Sequence, residues 1–375
     1  MPGLRPDIDP DGLLEYSVVY TDRARNHMSE GFRDVMTDVS AALRRVYGAD
    51  AVAIVPGSGT FAMEAVARQF ATDAHCLVIR NGWFSYRWTQ IFEMGSIPRS
   101  HEVCKARPVR EGHQAPFMPA PVAEVVATIE ATRPAVVFAP HVETASGIIL
   151  PDDYITEIAA ATRQHGGMFV LDCIASGTIW VDMRELGVDV VISAPQKGWS
   201  ASPFGGLVML ADTAQKRLGE TTSTSFSCDL RRWREIMHAY EEGGHAYHAT
   251  MPTDAIARFR DVIAETDQIG FDRVKAAQQE LGDRVRAALA TRGYRSVAAD
   301  GFAAPGVVVS YTDDPEIQSG AKFAAQGLQI AAGVPLMCDE PDDYRTFRLG
   351  LFGLDKLLDV DAAVARLEEA LDAIG

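Results

Sequence analysis

The chain lacks the long apolar runs, the paired cysteines and the excess of positive charge that mark several large classes of protein. No stretch reaches the roughly 18 apolar residues needed to cross a bilayer. The opening residues are rich in Pro and Asp and contain no apolar signal core, so a cytoplasmic location is expected. Five cysteines, Cys76, Cys104, Cys173, Cys228 and Cys338, are scattered without a C-x-x-C pair. Neither a disulfide framework nor a zinc site is indicated, and reduced thiols are expected. Lys and Arg number 35 against 51 Asp and Glu, a net charge of −16. That field argues against nucleic acid or an anionic membrane as a partner.

What is present is ample apolar material: 375 residues, 47% of them hydrophobic, enough for one large core or two unequal ones. Residues 1–25 read as an extended arm of the kind that packs on a partner subunit. Phe32, Val35, Met36, Val39, Leu43 and Val46 then recur at helical spacing and stop at Gly48. Apolar strands are expected at 52–55, 76–79, 135–139, 168–171, 188–192 and 205–210, with helices at 122–132 and 153–165 between them. Residues 101–134 otherwise read as a connection. This alternation predicts an α/β fold with a mainly parallel sheet and crossover helices. Residues 221–250 are irregular around a short helix near 230–240, a long loop for a compact domain unless it works at a site. A long helical pattern at 256–291 breaks near Gly270. Beyond it lie strands near 295–298, 306–311 and 347–352 and helices at 315–326 and 360–373, a smaller α+β unit. The expected division is thus an arm at 1–25, a large domain at 26–255 and a small C-terminal domain, with its connecting helix, at 256–375.

The chemistry concentrates where two apolar runs stop. Met168-Phe-Val-Leu171 ends at Asp172, and Val188–Ile192 runs into Ser193-Ala-Pro-Gln-Lys-Gly198. Runs without alternation suit parallel strands covered on both faces, and ligands of open α/β sheets bind beyond the carboxyl ends of such strands. A Lys in an apolar wall loses hydration, its pKa falls, and the free amine becomes a nucleophile. An Asp at the neighbouring strand end can hold a proton on a pyridine nitrogen. These are the two protein groups that pyridoxal phosphate chemistry needs. The plainer alternative makes Asp172 a turn cap and Lys197 a surface residue.

Two further segments suit such a site. Pro56-Gly-Ser-Gly-Thr60 lies between a strand and a helix, which makes Ser58, Gly59 and Thr60 candidates to hold a phosphate; a plain turn is the alternative. Asn81-Gly-Trp-Phe-Ser-Tyr-Arg-Trp88 packs four aromatic residues into six positions, either as core or as a ring for a flat cofactor to lie against.

Asp172-Cys-Ile-Ala-Ser176 and Ser193–Gly198 resemble the cofactor-binding segments of the class V, fold-type I aminotransferases, most closely the alanine/serine–glyoxylate group. The resemblance runs from Phe32 to the end of the chain. It implies a seven-stranded, mainly parallel sheet, and pyridoxal 5′-phosphate held by Lys197 and Asp172 with Ile174 and Gln196 beside them. It further implies phosphate binding by the 58–60 loop and stacking by Phe84, with Ser85 in the family's small-residue position and Arg87 keeping its place. Thr144, in His141-Val-Glu-Thr-Ala-Ser-Gly147, would approach the ring 3′-oxygen; an ST-turn is the local alternative, and His141 and Glu143 could be structural hydrogen-bonding groups. Tyr247 and Thr250 would reach the phosphate in a neighbouring subunit, which implies a homodimer. Arg348 would take the substrate carboxylate, for which a planar guanidinium is suited.

The implied activity is transfer of an amino group from a small amino acid (alanine, serine or aspartate-like) to a 2-oxo acid such as glyoxylate or pyruvate. Where the family begins with a Gly-Pro segment near the substrate, this chain has Ile8-Asp-Pro-Asp-Gly-Leu-Leu-Glu-Tyr16, which leaves the amino donor open. A lyase or cysteine desulfurase using Cys338, ten residues before Arg348, is the alternative, although Met337-Cys-Asp-Glu340 does not match that group. A non-catalytic protein of the same fold is a third reading. His245 and His248 sit in a loop without neighbouring carboxylates, and no metal site is expected there.

Overall fold

The computed structural model describes residues 5–374. The helix Glu30–Tyr47 opens on Ser29, whose hydroxyl accepts the Phe32 N–H, and closes on Gly48 in the left-handed region. Its Phe32, Val35, Met36, Val39 and Leu43 stripe is fully buried. Both ends and the buried face are therefore local consequences of sequence.

Seven strands form the main sheet: β1 (Ala51–Pro56), β2 (His75–Arg80), β3 (Ser100–Lys105), β4 (Val136–Pro140), β5 (Met168–Asp172), β6 (Val190–Ser193) and β7 (Gly205–Leu210). Their order is β1-β7-β6-β5-β4-β2-β3. Strands β2 to β6 run parallel, while β7 is antiparallel to both β1 and β6. The expected mainly parallel seven-stranded sheet is thus present, with one reversed strand near its edge. Helices Gly59–Phe70, Trp83–Gly95, Val122–Thr132 and Asp152–Gln164 make the crossovers.

Two elements differ from the sequence reading. The 101–134 connection contains β3, an edge strand pairing with β2 alone. Its residues Ser100-His-Glu-Val-Cys-Lys105 are at best half-buried, so they lack the continuous apolar run that marks the central strands. The second is the helix Trp83–Gly95: Gly82 at its N-cap has no capping side chain, and its N-terminus is closed by the Ser85 hydroxyl, which accepts the Gly82 N–H, together with a carboxylate from a distant part of the chain.

After helices Thr253–Ile269 and Phe271–Thr291, divided at Gly270, comes a three-stranded antiparallel sheet. It consists of β8 (Val307–Tyr311), β9 (Ala331–Ala332) and β10 (Thr346–Gly350), ordered β8-β10-β9. The strand expected at 295–298 reduces to isolated bridges, Ser296 with Ser310 and Phe117 with Ala298. The helix expected at 315–326 is two short pieces, Pro315–Gln318 and Ala321–Ala325, interrupted at Gly320. A cluster including Phe117, Val142, Ile148, Val307, Val309 and Leu336 packs this smaller sheet onto loops of the larger one. Among the described residues no helix is long and apolar enough to cross a membrane.

Candidate active site

In the β5–β6 ladder Ile192 pairs with Asp172, so both strands stop at the same level and their following turns lie side by side. Asp172 is 7% exposed, and its Oδ1 accepts the Ile174 N–H at 2.9 Å. Burial pushes the carboxyl up to about 7, against the help of that hydrogen bond; nearby Glu143 pushes the same way and Arg87 opposes it. Lys197 moves in the opposite direction. Burial lowers its pKa first, and the positive charge of Arg348 lowers it further. Both groups are driven towards their neutral forms, which leaves an acid able to meet a basic nitrogen and an amine able to attack a carbonyl.

The lysine turn is pinned from several sides. A Cβ at Gly198 would overlap the carbonyl oxygen of Gly177, in the turn after Asp172. Trp199 is 1% exposed and lies against Trp180 with ring centroids 4.4 Å apart. The Ser200 N–H donates to the Lys197 carbonyl at 3.0 Å, and the Ser200 hydroxyl accepts the Leu354 N–H at 3.0 Å. Leu354 follows β10, so the lysine turn and the arginine strand share a fastening. Phe352 places its ring centroid 5.4 Å from the lysine Nζ.

Strand β1 leads into Gly57, whose φ of 122° lets the chain turn over the Phe61 ring. Ser58 caps the next helix without a side-chain hydrogen bond, and the Ala62 N–H donates to the Ser58 carbonyl. The N–H groups of Gly59, Thr60 and Phe61 therefore point out of the helix end, where an anion can meet them. Gly59 is pressed against Ile174: a Cβ there would lie 2.6 Å from its Cδ1. Gln196 keeps a buried amide oxygen without a hydrogen-bond partner among the described residues.

Phe84 sits in the first turn of the Trp83–Gly95 helix, its ring centroid 5.1 Å from the Arg87 guanidinium and 5.5 Å from that of Arg348. Glu143, fully buried, caps this helix by accepting the N–H groups of Phe84 (3.2 Å) and Ser85 (2.8 Å) and the Ser85 hydroxyl (2.7 Å). It also accepts the Ala145 N–H. A carboxylate with so many donors at a helix N-terminus is well compensated. Thr144, half-buried, opens the turn of the hairpin between Val142–Glu143 and Ile148–Ile149. His141 lies 2.7 Å from the Ser176 hydroxyl through Nδ1, and burial pulls its pKa down to about 4. His141 and Glu143 thus both have hydrogen-bond partners within the fold.

Arg348, on β10, donates from Nε to the Ala332 carbonyl at 2.8 Å. No carboxylate oxygen among the described residues lies within 4.0 Å of it. Its fork is free for an incoming carboxylate.

The structure brings Ser58, Gly59, Thr60, Phe84, Asp172, Ile174, Lys197 and Arg348 into one connected neighbourhood. Among the described residues, Tyr247 and Thr250 share no hydrogen bond or ring contact with these. They bond to each other at 3.2 Å, and Tyr247, 54% exposed, packs on His27 of the N-terminal segment. Cys338 is 3% exposed, donates to the Arg80 carbonyl, and has its pKa pushed up to about 12 by burial. Such a thiol is poorly disposed to act as a nucleophile. The sequence reading did not single out Phe352, which has no motif around it, or give a role to Arg87, whose signal was its place in the 81–88 segment.

Comparison with known proteins bears on the family and the fold. The family model described as aminotransferase class-V matches residues 14–315. A 2-aminoethylphosphonate–pyruvate transaminase of Paraburkholderia xenovorans is 27% identical over 369 residues, covering 94% of this chain and 90% of that one. Among solved structures, alanine–glyoxylate aminotransferase of Nostoc sp. superposes with a TM-score of 0.76 at 20% identity, covering 92% of this chain and 88% of that chain. Aspartate aminotransferase of Thermus thermophilus gives 0.74 at 24% identity, covering 92% of both. The fold is the fold-type I aminotransferase fold.

The raised pKa of Asp172 has a measurable consequence. As pH rises from its ordinary value of 3.8 to about 7, the folded chain keeps a proton that the unfolded chain has released. Stability contributed by this group therefore falls across that window and levels above it. In ligand-free protein, Asp172→Asn should remove this decline, so that denaturant melts of the two proteins diverge increasingly between pH 4 and 7. Parallel stability curves would contradict the assignment.

Proposed function

The chain belongs to the aminotransferase class-V family, and from that premise we propose that it is a pyridoxal 5′-phosphate-dependent transaminase. It would move an amino group from a small amino acid, alanine, serine or aspartate-like, to a 2-oxo acid such as pyruvate or glyoxylate. The observation that carries this reading is the pairing of a buried, raised-pKa Asp172 with a buried, lowered-pKa Lys197 at adjacent strand ends. The residues present suit the cofactor. Asp172 is a buried carboxyl short of compensating charge, the helix at Gly59 has outward N–H groups, and Gly59 leaves no side chain between that helix end and Ile174.

When bound, pyridoxal 5′-phosphate supplies an aldehyde for amine exchange and a protonated ring that draws electrons from the substrate's α-carbon. Asp172 would hold the proton on the ring nitrogen, supported by the Ile174 N–H. Lys197 Nζ would hold the aldehyde, yield it to the incoming amine, and then move the substrate's α-proton as general acid and base. Ser58, Gly59 and Thr60 would hold the phosphate, with Gln196 beside them. Phe84 would lie against the ring and Thr144 beside its 3′-oxygen. Arg348 would fix the carboxylate, and Phe352 would shield the lysine amine from water. The name of the Paraburkholderia relative supports pyruvate as acceptor and adds 2-aminoethylphosphonate to the donors worth assaying. The buried, high-pKa Cys338 gives no support to a desulfurase.

We further propose a homodimer in which Tyr247 and Thr250 serve the neighbouring chain's phosphate. Both are exposed in the single chain. Leu13, Tyr16 and Val18 of the N-terminal arm are also largely exposed, an apolar surface suited to a second copy.

Two measurements test the proposal. Lys197→Ala should abolish transamination in single half-reactions with alanine, serine and aspartate while leaving the melting temperature close to wild type. Arg348→Gln should raise KM for the 2-oxo acid about 10- to 100-fold, the value of a lost charged hydrogen-bond pair. Full activity in the lysine variant would end the reading. For the dimer, mixing Lys197→Ala protein with a Tyr247→Ala/Thr250→Val double variant and re-equilibrating the subunits should restore up to about a quarter of wild-type activity, because each mixed dimer contains one intact composite site. No recovery, or a monomer by light scattering, would contradict the shared site.

A further inference from the structure

Arg87 is a half-buried guanidinium without a carboxylate partner among the described residues. Its Nη1 donates to the Thr60 Oγ1 at 2.9 Å, its Cζ lies 5.1 Å from the Phe84 ring centroid, and its charge is felt at Asp172. One cation thus joins Thr60 of the 58–60 loop to the helix that carries Phe84. Because the Thr60 oxygen accepts from Arg87, the hydroxyl hydrogen must point elsewhere, and a hydroxyl that accepts from a cation becomes a stronger donor. Thr60 lies in the first turn of the Gly59–Phe70 helix, beside the outward N–H groups.

We infer that Arg87 is a positioning residue which, steadied against Phe84, fixes the Thr60 hydroxyl as a donor to an anion at this helix end. Resting on the reading above, that anion is the phosphate of pyridoxal 5′-phosphate. Nearby, the lysine amine and Arg348 serve the aldehyde and the substrate; Arg87 serves the opposite end of the ligand. Its role is therefore to discriminate the phosphorylated cofactor from its unphosphorylated form.

The test compares binding of pyridoxal 5′-phosphate and of pyridoxal, by quenching of intrinsic tryptophan fluorescence, to wild type, Arg87→Met, Arg87→Lys and Arg87→Met/Thr60→Val. Arg87→Met should weaken binding of the phosphorylated ligand about 10- to 100-fold, the worth of a charge-assisted hydrogen bond, and change pyridoxal binding less than about 3-fold. Arg87→Lys should recover part of the loss, and adding Thr60→Val to Arg87→Met should cost little more, since both act through one contact. Unchanged affinity for the phosphorylated ligand, or equal losses for both ligands, would overturn the role given to Arg87. Should wild type itself bind neither ligand, the proposed cofactor falls as well; wild-type binding with an unaffected Arg87→Met variant removes the Arg87 inference alone.

Discussion

The site depends on the seating of one turn upon another at the carboxyl ends of β5 and β6. The parallel ladder sets Ile192 level with Asp172, and Gly198 then rests so closely on the Gly177 carbonyl that no side chain fits between them. Lys197 precedes that contact and Trp199 follows it, buried against Trp180. The lysine is held by its neighbours on both sides, while its own side chain makes no hydrogen bond among the described residues. An amine that must hold and release a ligand needs a rigid base and a mobile tip.

Around this seat the electrostatics are left uncompensated. Asp172 is buried with little balancing charge, and Arg348 lies close enough to disfavour the charge on Lys197. A carboxyl and an amine in such settings cost stability unless a ligand supplies their partners. Glu143 is the contrast: equally buried, it is surrounded by N–H and O–H donors and acts as a helix cap. Two buried carboxyls from adjoining strand ends thus have opposite roles, distinguished by how many donors each meets. The Ser200 contact with Leu354 ties the lysine turn to the chain leaving β10, so the carboxylate-binding candidate and the reactive amine are located by the same packing.

Much of this was legible in the residues. Continuous apolar runs ending at Asp172 and before Lys197 identified central parallel strands, because a strand covered on both faces has no reason to alternate. The strand, glycine turn and helix at 52–70 was equally clear. Strand β3 was not, since an edge strand with Ser, His, Glu and Lys has no such run. Nor was the helix Trp83–Gly95: Gly82 at its N-cap offers no capping side chain, the Ser85 hydroxyl accepts the Gly82 N–H, and the carboxylate that completes the cap is Glu143, 58 residues away from Ser85. Phe352 reaches the lysine only through the packing of the smaller sheet. The parts proposed for Tyr247 and Thr250 depend on a second chain, and their exposed positions in one chain are consistent with that dependence.

The most direct measurement is chemical. The protein is incubated with pyridoxal 5′-phosphate, reduced with borohydride, digested and mapped by mass spectrometry. The account predicts one phosphopyridoxyl group per chain, on the peptide containing Lys197, and its loss when Asp172 is replaced by Ala under limiting ligand. Labelling spread over Lys105, Lys216, Lys275, Lys322 or Lys356, or none at Lys197, would contradict it.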